Sequence, residues 1–111
     1  MAQSRNKAYA AVPELGRLRD EVIYGEIWEQ KDLGKRDRSL VTVAALVAMH
    51  RPDQLRSHLR RALDHGVTRD EIRALVTHLA FYAGWPNAVT AADVVGEVFA
   101  EADAAAGSGT G

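Results

Sequence analysis

The chain is 111 residues long, 47% hydrophobic and 26% charged, with a formal net charge of −1. That balance suits one globular domain around a single core, and near-neutrality gives no general attraction to nucleic acid or an anionic membrane. The absence of cysteine removes disulfides, thiolate ligands and thiol redox chemistry together.

Met1 to Lys7 is polar, and no apolar run reaches the roughly 18 residues a bilayer span requires. A soluble, unexported, cytoplasmic protein is the expectation, with residues 1–12 as a flexible lead-in. Apolar residues recur at spacings of three and four, so the fold class is all-α. Leu15, Leu18, Val22 and Ile23 give a first amphipathic helix after Pro13, closed near Gly25. Glu26 to Lys35 reads as a loop, because Gly34 and a Lys/Asp cluster interrupt any stripe.

The second helix, from about Asp37 to Met49, is apolar around almost its whole circumference through Leu40 to Ala48. Such a helix needs neighbours on all sides, and one small domain has few to offer. Self-association is therefore expected. Pro52 suits the first turn of a third helix whose buried stripe is Leu55, Leu59, Ala62 and Leu63, and Gly66 supplies a left-handed stop. Thr68 to Glu71 has the form of a capping box for a fourth helix, which buries Ile72, Leu75, Val76 and Leu79 and ends at Ala83-Gly84. Pro86 opens a fifth helix carrying Val89, Ala92, Val95 and Phe99. The expected domain is 13–104, with 105–111 a disordered Gly/Ser tail.

His58 projects from the third helix at the edge of its buried stripe, where an imidazole serves either as an acid–base group or as a hydrogen-bonded structural residue. Arg38, at the start of the second helix, is placed to hold a carboxylate in a fork or to remain solvated. Glu26 and Trp28 fall in the loop after Gly25, Glu26 as a surface carboxylate or a candidate proton relay and Trp28 as a packing residue. His78 and Tyr82 are one turn apart and share a face, either lining a cleft or anchoring the tyrosine in the core. Arg56, Arg60 and Arg61 read as a solvated face or as salt-bridge partners between subunits.

No metal site is expected. His58 and His65 are two turns apart, about 10 Å by helical rise, too far to share one zinc ion. His50 and His65 instead suit contacts with helix-terminal carbonyls. Ser39 and Ser57 lack a nucleophile elbow, and no glycine-rich phosphate cradle is present.

Taken in order, Tyr24-Gly25-Glu26-Ile27-Trp28, Arg38-Ser39-Leu40-Val41-Thr42, Leu55 to Ala62 around His58, Gly66 to Ile72, and Tyr82-Ala83-Gly84-Trp85-Pro86 resemble the γ-carboxymuconolactone decarboxylase family. The likeness covers roughly Tyr24 to Glu101. In the peroxidase branch of this AhpD-like superfamily, a Cys-x-x-Cys pair precedes the histidine; here Arg51 and Gln54 hold those positions, and Ser39 replaces the relay glutamate. The resemblance thus points to the decarboxylase branch.

It implies an AhpD-like domain of about five to six helices in a homo-oligomer, a trimer or hexamer, and a bacterial enzyme of aromatic catabolism that uses no cofactor. The implied reaction is loss of CO2 from a 4-carboxymuconolactone-like lactone, with His58 and Glu26 catalytic and Arg38 on the carboxylate. Trp28, His78, Tyr82 and Trp85 would shape the pocket. A non-catalytic ligand-binding or scaffold protein and a lactone isomerase are the alternatives that the resemblance leaves open.

Overall fold

The computed structural model describes the backbone of residues 2–110 and the side chains of residues 7–107. Every regular element among the described residues is a helix. The helices fall into two units, one ending at Arg38 and one beginning at Ser39.

In the first unit α1 covers Ala2–Ala11 and α2 covers Pro13–Leu18. Pro13 fixes φ in the first turn of α2, where its missing N–H costs nothing, and Val12 donates to the Ala8 carbonyl at 2.8 Å to close α1. The Arg19 guanidinium lies 4.1 Å from the centroid of the Tyr9 ring. From Arg19 to Ile27 the helix continues as a π-helix. A Cβ on Gly25 would stand 2.9 Å from the Asp20 carbonyl oxygen, so this wide turn closes only over a residue without a side chain. Gly25, expected to stop the helix, instead permits its continuation, and Glu26 and Ile27 are helical rather than in a loop. Neither α2 nor the π-helix buries a side chain. Of the expected stripe, Leu15 is 51%, Leu18 36% and Ile23 42% exposed.

Helix α3, Lys35–Ala48, begins in the first unit and runs into the second. It buries Ser39, Val43 and Val47, one residue per turn on one face, while Val41 on the opposite face is 60% exposed. Its apolar circumference is thus covered on one side within this chain. His50 closes the helix at φ 56°, a left-handed conformation that histidine tolerates better than branched residues do.

Helices α4 (Pro52–Asp64), α5 (Arg69–Tyr82) and α6 (Trp85–Thr110) complete the second unit. Leu55, Leu59 and Ala62 of α4 are buried, as their spacing predicts, against Ile72 and Val76 of α5 and against Ala91, Val94 and Val98 of α6 in one cluster. Each fully buried leucine contributes about 1.5–3 kcal/mol of apolar transfer free energy. Gly66 adopts φ 93° after α4. Thr68 and Glu71 form the expected capping box, with Glu71 N donating to Thr68 Oγ1 at 3.1 Å and Thr68 N donating to Glu71 Oε1 at 2.9 Å.

Three ion pairs tie α4 and α5 to α6: Arg56 with Glu97, Arg60 with Glu101 at 2.8 Å, and Arg69 with Asp103 at 2.8 Å. Arg56 and Arg60, expected to be solvated or to bridge subunits, are therefore paired within their own chain. The segment 1–12 carries α1, and Met1 lies outside the described residues. Helix α6 runs on through 105–110; of the expected tail 105–111, the side chains beyond Gly107 and all of Gly111 lie outside the described residues.

Candidate functional site

In the second unit His58 is half-buried on α4 between the fully buried Leu55 and Leu59, and its Nδ1 is shielded from solvent. Helical spacing turns the imidazole to the margin of the core, where neighbouring groups act through less water. At the positions corresponding to the missing cysteines, Arg51 donates through Nη1 to the carbonyls of Met49 and His50 at 3.2 and 3.3 Å. A cation at those α3-terminal carbonyls is electrostatically favourable.

His78 and Tyr82 share a face of α5, with ring centroids 4.6 Å apart and planes 22° from parallel. The tyrosine is not a core residue: it is 77% exposed, and Trp85 across the turn is 63% exposed. Phe81 meets Trp85 edge-on at 6.0 Å. The turn between α5 and α6, with Gly84 at φ 106°, therefore has two aromatic pairs beside it, with Phe81, Tyr82 and Trp85 exposed. Phe81 escaped the sequence reading, because its contact with Trp85 is made across the turn between two helices, where helical spacing gives no signal.

A second feature escaped it as well. Ser39 Oγ lies 2.8 Å from His65 Nδ1, and Ser39 is the one buried polar residue among those described, at 1% exposure. His65, expected to interact with helix-terminal carbonyls, meets this hydroxyl and joins the start of α3 to the end of α4. A hydroxyl both donates and accepts, so the bond suits either imidazole tautomer.

In the first unit Glu26 is exposed in the last turn of the π-helix, and Trp28 follows it half-buried, its ring 5.8 Å from that of Tyr24. Arg38 folds back on the turn before α3: Nε donates to the Leu33 carbonyl at 2.7 Å and Nη2 to the Gln30 carbonyl at 3.4 Å. These bonds fix the direction of the guanidinium. In the same turn Lys35 donates to Glu29 and holds its carboxyl below the usual range. Glu26 and Trp28 thus lie at the end of the π-helix, and Arg38 is bonded to the turn that follows it. In the other unit His78 stacks on Tyr82, while Trp85 meets Phe81.

Among the described residues no three His, Asp or Glu side chains are arranged to hold a metal ion, and no helix is long and apolar enough to cross a membrane.

The model of the carboxymuconolactone decarboxylase family matches residues 13–108. A 4-carboxymuconolactone decarboxylase of Acinetobacter baylyi is 45% identical over 76 residues, which cover 68% of this chain and 57% of that protein. A nitrosuccinic acid decarboxylase of Metarhizium robertsii is 35% identical over 71 residues, 64% of this chain and 50% of the other. An uncharacterized 15.0 kDa protein of Paracoccus denitrificans is 30% identical over 86 residues, 75% and 63% respectively. The chain spans about half to two thirds of the length of these curated relatives.

Proposed function

The chain belongs to the carboxymuconolactone decarboxylase family, and from that premise we propose that it is a decarboxylase of a carboxylated unsaturated lactone resembling 4-carboxymuconolactone. The observation that supports this reading is the half-buried His58, which follows the buried stripe of α4 with one ring nitrogen out of solvent. A proton donor for carbon works best in a poorly hydrated setting, and the shielding of this ring nitrogen from solvent supports that role.

The names of two relatives support the reaction type. 4-Carboxymuconolactone and nitrosuccinic acid each carry a carboxylate from which electrons can pass into an acceptor already in the molecule, a conjugated lactone in one and a nitro group in the other. In the lactone, the bond to the departing carboxylate breaks, CO2 leaves, and the electron pair spreads through the ring double bond onto the lactone oxygen as a furanolate. A proton then adds to ring carbon and restores the neutral lactone. The substrate is its own electron sink, so the protein has to bind, exclude water and deliver one proton.

In this reading His58 is the proton donor or the partner of the developing oxyanion, Arg38 binds the carboxylate that remains, and Glu26 is a second acid–base group. Arg38 suits its role because its carbonyl bonds preset the guanidinium, which then loses little freedom on binding. Trp28, His78, Tyr82 and Trp85 supply apolar walls. The test is direct: 4-carboxymuconolactone is added to the purified chain, and CO2 release is followed together with product absorbance. Stoichiometric CO2 supports the reading, and an inert protein that binds the lactone supports the ligand-binding alternative.

The same reading includes self-association into a trimer or hexamer. Its support is the apolar surface the chain leaves uncovered: Leu15 on α2, Val41 on α3, and the aromatic rings at the α5–α6 turn. Projecting rings of this size rarely stay in water on a stable soluble protein.

A further inference from the structure

We propose that the groove between α5 and α6 is a second binding site, for an organic acid with a flat apolar body and one carboxylate. This inference stands independently of the decarboxylase reading.

The groove encloses about 470 Å³, a volume typical of small-molecule sites. Val76, Val95 and Phe99 make its floor, each less than a tenth exposed. The α6 wall is cut low by Ala92 and Gly96. Glycine is unfavourable inside a helix and is normally retained where another group of the chain approaches closely. Here no such group exists: a Cβ on Gly96 would meet nothing within 4 Å. What the missing side chain leaves is open space above an apolar floor.

Charge selects the occupant. Arg73 stands at the rim with its guanidinium 5.1 Å from the Phe99 ring centroid. Its partner Asp70 is bound through Nη1 alone, at 3.1 Å, and is 96% exposed in its side chain. Such a surface pair is weak, and Nε and Nη2 of Arg73 remain to grip a carboxylate. Thr77 on the same rim donates its hydroxyl to the Arg73 carbonyl at 2.9 Å, leaving the oxygen as an acceptor. Arg69 also lies 4.9 Å from the Phe99 ring centroid but is paired with Asp103, so a concave apolar floor beside Arg73 fits a small amphipathic anion. The projecting rings of Phe81 and Trp85 nearby present the opposite shape, suited to a protein surface.

Naphthalene-2-carboxylate titrated into the full chain and followed by amide NMR tests the site. Expected are saturable one-to-one shifts at Thr77, Ala92 and Gly96. Arg73→Gln should weaken binding about tenfold, the value of one charge-assisted hydrogen bond, and naphthalene-2-carboxamide should bind the wild type correspondingly less well. Gly96→Leu should abolish binding while the melting temperature holds or rises, and Ala92→Leu provides an independent plug. Binding that survives both plugs, shifts confined to His78–Trp85, or no shift at millimolar ligand would overturn the proposal. Groove amides that change with protein concentration alone would do the same, because they assign this face to a second copy of the chain.

Discussion

Ser39 and Leu59 show what single positions contribute. Leu59 is fully buried on α4, so Leu59→Ala removes apolar contacts and leaves a cavity; a loss of about 2–5 kcal/mol in urea unfolding is expected. That is a large part of a small domain's stability. Ser39→Ala leaves the His65 imidazole without its 2.8 Å partner and should cost about 1–2 kcal/mol by the same measurement. A variant as stable as the wild type would show that water replaces the hydroxyl. Leu59 was legible in the sequence, because a three-and-four spacing names one buried face. The Ser39–His65 bond was not, since it joins residues 26 apart through packing that periodicity does not encode. His58 was found as a half-buried position, and Tyr82 was misjudged by its core alternative because α5 ends before that turn is covered.

Among the elements, the boundaries set by local chemistry were the readable ones. Thr68 with Glu71, Gly66 and Pro52 each mark a helix end by a mechanism confined to a few residues, and each lies where that mechanism puts it. Thr68→Ala should lower stability by about 1 kcal/mol through loss of the cap. The π-helix was not readable, because a glycine that ends a helix and one that admits a wide turn look alike in sequence. Gly25→Ala should drive the Cβ against the Asp20 carbonyl, 2.9 Å away, and NMR should show changed shifts from Asp20 to Trp28. An unperturbed spectrum there would contradict the close approach.

The α5–α6 connection also carries a pH dependence. A hydrogen bond from Arg69, with its positive charge, holds the Asp103 carboxyl below the ordinary aspartate range. A depressed folded-state value stabilises the fold above the unfolded value and loses that contribution as pH falls through the folded one. The difference in melting temperature between wild type and Asp103→Asn should therefore shrink on acidification below the ordinary aspartate range, and an Arg69→Gln variant should titrate Asp103 closer to its usual value. Because both groups are on the surface, the effect should also fade in high salt.

At the level of the whole molecule, the all-α class followed from periodicity, and the need for further cover followed from the apolar circumference of α3. The structure locates uncovered surface more widely than that helix, on α2 and at the aromatic turn. Light scattering should give a mass above that of one chain at micromolar concentration, and Phe81→Glu together with Trp85→Glu should lower it. The central claim is that an imidazole at the edge of the core carries a decarboxylation that needs no sulfur. The measurement that tests it most directly compares CO2 release from 4-carboxymuconolactone by wild type and by His58→Gln, with circular dichroism to show that both remain helical. The account predicts turnover by the wild type and a loss of about a hundredfold or more in the variant; equal rates from the two folded proteins would contradict it.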